Sequence, residues 1–271
     1  MNPRRITASP RLDAILSAGG PLLFLSAHLD DAVLSCGALL AALAPHCPVT
    51  VATVFTAATE PPHTRAARSF LRQCAATDAG TLFAERRAED RDVLAGLGVR
   101  QVHLGAVDAL FRTRRCRDAL GPLGRAMPEL VHRYPTYRFD IARGRVAAGD
   151  HTLVADLTRQ VGDLVATTGA ELVFSPVGVG NHVDHLLTRR IGAGLGTPVV
   201  HYSDFPYDLS AAPDPTYLGR LGLRPWSWEH GITEKQRLIR GYHTQADALF
   251  PGGTIPARPE VYYEPRAIRS A

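Results

Sequence analysis

Short apolar runs of strand length alternate along this chain with longer segments whose apolar residues recur every three to four positions. Residues 22–25 are continuously apolar, the pattern of a strand buried on both faces. The run breaks at His28-Leu29-Asp30-Asp31 and passes into a helical segment over 31–43, closed by Pro45. Residues 49–55 are rich in β-branched side chains and predict a second, central parallel strand. Together these make a βαβ unit with a right-handed crossover. Residues 61–98 read as helical, most clearly over 81–97, with Gly98 as the stop. A third strand is expected over 99–104 and a loop over 105–108.

Residues 109–150 carry many Arg, Pro and Gly and little periodicity, which predicts a long irregular insertion, either a lid or substrate loop or a partly disordered segment. An amphipathic helix follows over 151–168, then a fourth strand over 171–177. That strand breaks at Gly178-Val179-Gly180 and enters His182-Val183-Asp184-His185, which opens another helix. A fifth strand over 198–203 ends in Asp204-Phe205-Pro206-Tyr207. A Trp- and Pro-containing segment over 224–228 precedes a last long helix over 234–249. A short helix over 11–18 leads into the first strand. No internal repeat or linker divides the chain, so the expectation is one α/β domain over 1–271, a mostly parallel sheet flanked by helices.

Composition changes this picture little. The 271 residues are 45% hydrophobic and 21% charged, ordinary for a globular protein. The formal net charge is +4, carried almost wholly by arginine, with Lys235 the only lysine. No basic run or aromatic-interleaved basic patch points to nucleic acid, and no stretch has the length of a membrane span. The four cysteines, Cys36, Cys47, Cys74 and Cys116, have no metal-ligand or CxxC spacing. With no signal-peptide core at the start, a reducing cytoplasm is the expected setting.

The chemistry lies at two strand ends. His28, Asp30 and Asp31 follow the first strand, and His182, Asp184 and His185 follow the fourth. In a parallel sheet both ends face one edge, where ligands gather. Asp before an apolar run is also a common helix cap, so either cluster alone has a purely structural explanation. Two clusters at corresponding ends converge on a metal. Two His and a carboxylate with open positions suit catalytic zinc, whereas Mg²⁺ for phosphoryl transfer prefers oxygen ligands. The third reading is a binding protein that kept the fold and lost the chemistry.

Ala27-His28-Leu29-Asp30-Asp31 with His182-Val183-Asp184-His185 resembles the paired AHPDDE and HPDH motifs of the PIG-L/LmbE-like deacetylases. Arg87 and the late Tyr242-His243-Thr244-Gln245 are weaker parts of the same resemblance. It implies a Rossmann-like fold and zinc-dependent removal of an N-acyl group, usually acetyl, from an amino sugar or glycoconjugate. It implies His28, Asp31 and His185 as zinc ligands and Asp30 as general base. His182 is then the imidazolium that stabilises the oxyanion, its ring oriented by Asp184. Arg87, Asp204 and Tyr207 are candidate substrate contacts. The sequence departs from the family at Leu29, where Pro is usual, and at Ala32, where Glu is usual. Gly180 stands where some members have a Tyr that contacts the oxyanion, a part that falls to His182 alone, to Tyr207 or to another side chain.

Overall fold

The computed structural model describes residues 9–114 and 121–265, so Cys116 and the centre of the Arg-rich stretch lie outside the described residues. Among the described residues, seven strands form one sheet: β1 (Leu22–Ser26), β2 (Val49–Ala57), β3 (Arg100–Val107), β4 (Leu172–Pro176), β5 (Val199–Tyr202), β6 (Leu223–Trp228) and β7 (Glu260–Pro265). Their order is β3-β2-β1-β4-β5-β7-β6. The first five are parallel; β7 runs antiparallel to β5, and β6 antiparallel to β7. This is the Rossmann-like, mostly parallel α/β arrangement.

The helices are α1 (Pro10–Ala18), α2 (Asp31–Leu43), α3 (Arg65–Gln73), α4 (Ala79–Gly96), α5 (Gly121–Ala126), α6 (Pro128–Val131), α7 (Asp150–Thr168), α8 (Val183–Ala193), α9 (Pro215–Leu221), α10 (Ile232–Ile239) and α11 (His243–Leu249). They cover both sheet faces, which is why β1 reads as a continuous apolar run. Leu22 and Phe24 pack into the core under α2, while Leu23 and Leu25 enter the core shared with α7 and α8. Phe24 and Phe174 are direct cross-strand partners, stacked with centroids 4.1 Å apart.

Four expectations change. The helical stretch 61–98 is two helices, because Thr64 and Asp78 each cap a new start by accepting from Ala67 N and Thr81 N. The last helix is also two. The chain at Gly241 passes so close to α4 that a Cβ there would lie 2.5 Å from the Val93 side chain. β3 runs on through 105–107, expected as loop, with Gly105 at φ +75° where its register with β2 shifts. The antiparallel pair β6 and β7 was not expected as strands, since its ladder joins segments distant in sequence.

The described part of the insertion is packed on one side and leaves Leu123, Met127, Leu130, Tyr137 and Phe139 exposed on the other. Val131, Tyr134 and Ile141 are buried, Thr113 bridges to His132, and a single π-turn spans Tyr137–Ile141. Phe174→Ala should lower the unfolding free energy by about 3–5 kcal/mol, because it opens a cavity and removes the stack on Phe24. Denaturant unfolding of the variant against the parent checks this.

Candidate metal centre and active site

β1 and β4 are neighbours whose following helices, α2 and α8, leave toward opposite sides of the sheet order. The crevice at their carboxyl ends is the topological switch point, the usual ligand site in open α/β sheets. Both motifs sit there. They converge: the rings of His28, His182 and His185 lie 5.0 to 5.2 Å apart, centroid to centroid.

Asp31 joins the two motifs. Its Oδ2 accepts the His28 backbone N–H at 2.7 Å and lies 3.0 Å from His28 Nδ1 and 3.3 Å from His185 Nε2. Each histidine is anchored on its far side by another carboxylate. His28 Nε2 faces Asp184 Oδ2 at 3.3 Å, and His185 Nδ1 meets Asp204 Oδ1 at 2.6 Å. Carboxylates behind imidazoles fix ring orientation and tautomer in metal sites.

A cation suits this donor set. His185 Nε2 is buried with no hydrogen-bond partner, and a ring nitrogen left so is costly unless something else fills its lone pair. Five carboxylates, from Asp30, Asp31, Asp108, Asp184 and Asp204, converge here. Two of them pair with a guanidinium, Asp30 with Arg86 and Asp184 with Arg112, and Asp31, Asp108 and Asp204 face only imidazoles among the ion pairs of the described residues. Burial alone would lower the pKa of His28, but Asp184 and Asp31 raise it well above the ordinary value. Burial likewise opposes protonation of His185, and Asp31 and Asp204 overcome it. The site therefore attracts positive charge that a bound cation can supply in place of protons. Two ligand sets compete around His28. One combines it with His182 and His185, the other with Asp108 and Asp184. The second is weaker, since Asp184 already accepts from Arg112 Nη2 at 2.5 Å and Ala109 N at 2.8 Å.

The polar floor opens into a cavity of about 500 Å³. Asp30 lines it, 3.5 Å from Arg86 Nη2. Burial pushes the Asp30 carboxyl up to about 6, with Arg86 pulling the other way and Asp31 adding to the rise. Phe70, Leu110, Tyr137, Tyr207 and Leu249 give the cavity apolar wall.

Several expected contacts fall elsewhere. Arg87 does not line the cavity: its guanidinium donates to the Thr56 carbonyl at 2.8 Å. Arg86, one residue earlier, is 3% exposed and does line it. Asp204 does not line the cavity either. It is fully buried behind His185, with Oδ2 accepting the N–H groups of Gly178 and Val179 at 2.7 Å. The Asp184 carboxylate does not orient the His182 ring; it turns to His28, Ala109 and Arg112. Only the Asp184 backbone N–H reaches His182, donating to Nδ1 at 3.2 Å. With Nδ1 placed as an acceptor, the geometry favours a neutral imidazole with its proton on Nε2 over the expected imidazolium. Burial, then the nearby His28 and His185, push its pKa well below the ordinary value.

Tyr207 does line the cavity, its ring edge-on to His185 at 5.4 Å. The same ring lies over Gly180, where a Cβ would meet it at 2.7 Å and where φ is +78°. Ala32 is 2% exposed, buried in the core cluster, and does not line the cavity. Asp108, at the end of β3, lines the cavity 3.5 Å from His28 Nε2. It stands at the same sheet edge as the two motifs, and that position is the sequence signal for it. The signal for Arg86 is helical spacing, because it shares a face with Leu82 and Asp90, both buried.

A family profile described as GlcNAc-PI de-N-acetylase, PIG-L, matches residues 23–194. The chain belongs to the PIG-L family. A relative, 2'-N-acetylparomamine deacetylase of Streptomyces fradiae, is 30% identical over 193 residues, 69% of this chain and 58% of that protein. The chain thus spans little more than half the length of that curated PIG-L-like relative. A deacetylase solved in complex with teicoplanin, from the teicoplanin biosynthesis pathway, is 25% identical with a TM-score of 0.68, over 90% of this chain and 97% of that one. A pseudoaglycone deacetylase for an antimicrobial reagent is 26% identical with a TM-score of 0.62, over 90% and 96%.

Asp204→Asn removes the charge behind His185 and sets an amide NH₂ against either His185 Nδ1 or the two backbone N–H donors. It should weaken Zn²⁺ binding by about 10–100-fold, measured by competition with a chromophoric chelator.

Proposed function

We propose that this chain is a zinc-dependent N-deacetylase acting on an amino sugar carried by a secondary metabolite. One observation carries the reading: two imidazoles and the Asp31 carboxylate meet at the floor of a cavity that also presents Asp30 as a base. His28, Asp31 and His185 would hold the zinc, which when bound polarises the amide carbonyl and acidifies a water. Asp30 accepts the proton of the attacking water at its carboxylate and returns it to the leaving amine nitrogen. His182 donates its Nε2–H to the carbonyl oxygen as charge develops there, acting as a neutral donor. Asp184 holds His28, and Asp204 holds His185. Arg86 and Asp108 are placed to bind sugar hydroxyls, and Tyr137 and Tyr207 to pack on the sugar ring. The products are a free amine and a carboxylate, acetate for an N-acetyl substrate.

The family supports the reaction, and the relatives named for paromamine, teicoplanin and a pseudoaglycone support a glycoconjugate antibiotic as substrate class. We read the chain as one catalytic unit in which segment 121–150 closes one side of the cavity through Tyr137. Ala32 and Gly180, the departures that prompt a non-catalytic reading, leave His28, Asp30, Asp31 and His182 on the cavity lining, with the Tyr207 ring over Gly180. Two imidazole ligands disfavour the Mg²⁺ reading. No helix among the described residues is long and apolar enough to cross a membrane, and the free thiols of Cys36 and Cys47 fit a reducing cytoplasm.

Release of free amine from N-acetylated aminoglycosides and N-acetylglucosaminyl glycopeptides tests the reading. Turnover lost on chelation and restored by Zn²⁺ supports it, and no zinc binding after reconstitution sinks it. Asp30→Asn should lower kcat by at least about 10²-fold while metal analysis still finds zinc. A base must be deprotonated to work, so kcat/KM should fall as pH drops through the Asp30 pKa. That value is about 6 without metal, and a neighbouring dication favours the carboxylate and moves the limb lower. The same limb surviving in Asp30→Asn would assign it to another group.

A further inference from the structure

The chain buries a second charged cluster behind the metal centre, outside both motifs. Arg112, from the loop after β3, is 5% exposed and makes four hydrogen bonds. Nε and Nη2 donate to the Val107 carbonyl at 3.0 and 2.8 Å, Nη1 to Asp150 Oδ2 at 2.7 Å, and Nη2 to Asp184 Oδ1 at 2.5 Å. Its plane lies over the Phe55 ring, 4.7 Å from the centroid. Asp150, the first residue of α7, is fully buried and also takes Arg133 and the Tyr134 hydroxyl, the latter at 2.5 Å. One guanidinium thus ties the segment leading to α7 to the carboxylate that faces His28.

The geometry points to Arg112 as a positioning residue for the metal centre: through Asp184 it fixes the His28 ring, and so sets zinc affinity from the segment between β3 and α7. This rests on the metal centre proposed above. Asp184 has two oxygens with separate duties. Oδ1 is held by Arg112, and Oδ2 accepts Ala109 N–H and faces His28 Nε2. With Nε2 directed to that carboxylate, Nδ1 is the ring atom left to face Asp31 and a cation. A planar fork that contacts two carboxylates and a carbonyl at once has no equivalent in lysine, whose ammonium is a single point of charge. Loss of the fork leaves Asp184 buried with one oxygen unpaired and free to rotate away from His28.

Zinc titration of the full-length apoprotein against a chromophoric chelator tests this, with thermal unfolding of each apoprotein as the folding control. Arg112→Gln should weaken Zn²⁺ binding by about tenfold or more, and Arg112→Lys should restore only part of it. Arg133→Gln, which touches Asp150 but not Asp184, should lower the melting temperature and leave zinc affinity at the parent value. Parental affinity in a folded Arg112→Gln protein overturns the inference. So does an equal loss in Arg133→Gln, because general loosening of the segment would then explain both. If Arg112→Gln does not fold, Arg112→Lys decides: a several-fold loss supports the role and parental affinity overturns it. Failure of the parent protein to bind zinc in the same titration overturns the metal centre itself, a distinguishable result.

Discussion

A carboxylate oxygen of Asp31 stands between the two halves of this site, which His28 and Asp184 also bridge. It lies within 3.3 Å of ring nitrogens from both motifs, one after β1 and one after β4. Such an arrangement survives burial only because the surrounding charges answer one another. Burial would drive Asp31 toward its neutral form, yet His185 and His28 hold its pKa well below the usual carboxylate range. Burial opposes ionisation of Asp184 in the same way, and Arg112 and His28 overcome it. Asp30 lacks a partner of that strength, since Arg86 stands 3.5 Å away. It stays near 6 and is suited to exchange a proton. One cavity floor therefore contains a carboxylate held ionised and another able to titrate, the pair that the proposed mechanism uses as ligand and base.

The fold makes this possible by geometry at the sheet edge. Parallel strands buried on both faces bring every strand end to one rim, and the reversal of strand order between β1 and β4 opens a crevice there. Asp108 reaches that rim from β3, and Asp204 from the chain beyond β5. The floor is thus assembled from four strand ends, each held rigid by its place in the sheet.

Much of this was readable in advance. The strands of the parallel sheet, the two motif clusters and their convergence follow from periodicity and from the shared direction of parallel strands. The same logic extends to Asp108, but a tidy break at Gly105 concealed it, because a positive-φ glycine inside a strand looks like a strand end. Arg86 and Arg87 are neighbours on α4, 100° apart around the helix axis. Charge alone cannot choose between them; the buried face of Leu82, Phe83, Arg86 and Asp90 does.

By itself the sequence determined the architecture and the chemical inventory, since local periodicity and motif spacing depend only on nearby residues. The tertiary structure alone decided which carboxylate serves which imidazole. Asp184 follows His182 by two residues, yet its side chain turns to His28, 156 positions away. Asp204 ends the fifth-strand region, yet its carboxylate turns inward to meet His185 at 2.6 Å. Arg112, in a stretch without any pattern, supplies the cation that holds Asp184 in place. Pairings between buried charges are chosen by desolvation and by the few Ångströms that separate them, and neither quantity is written in sequence order.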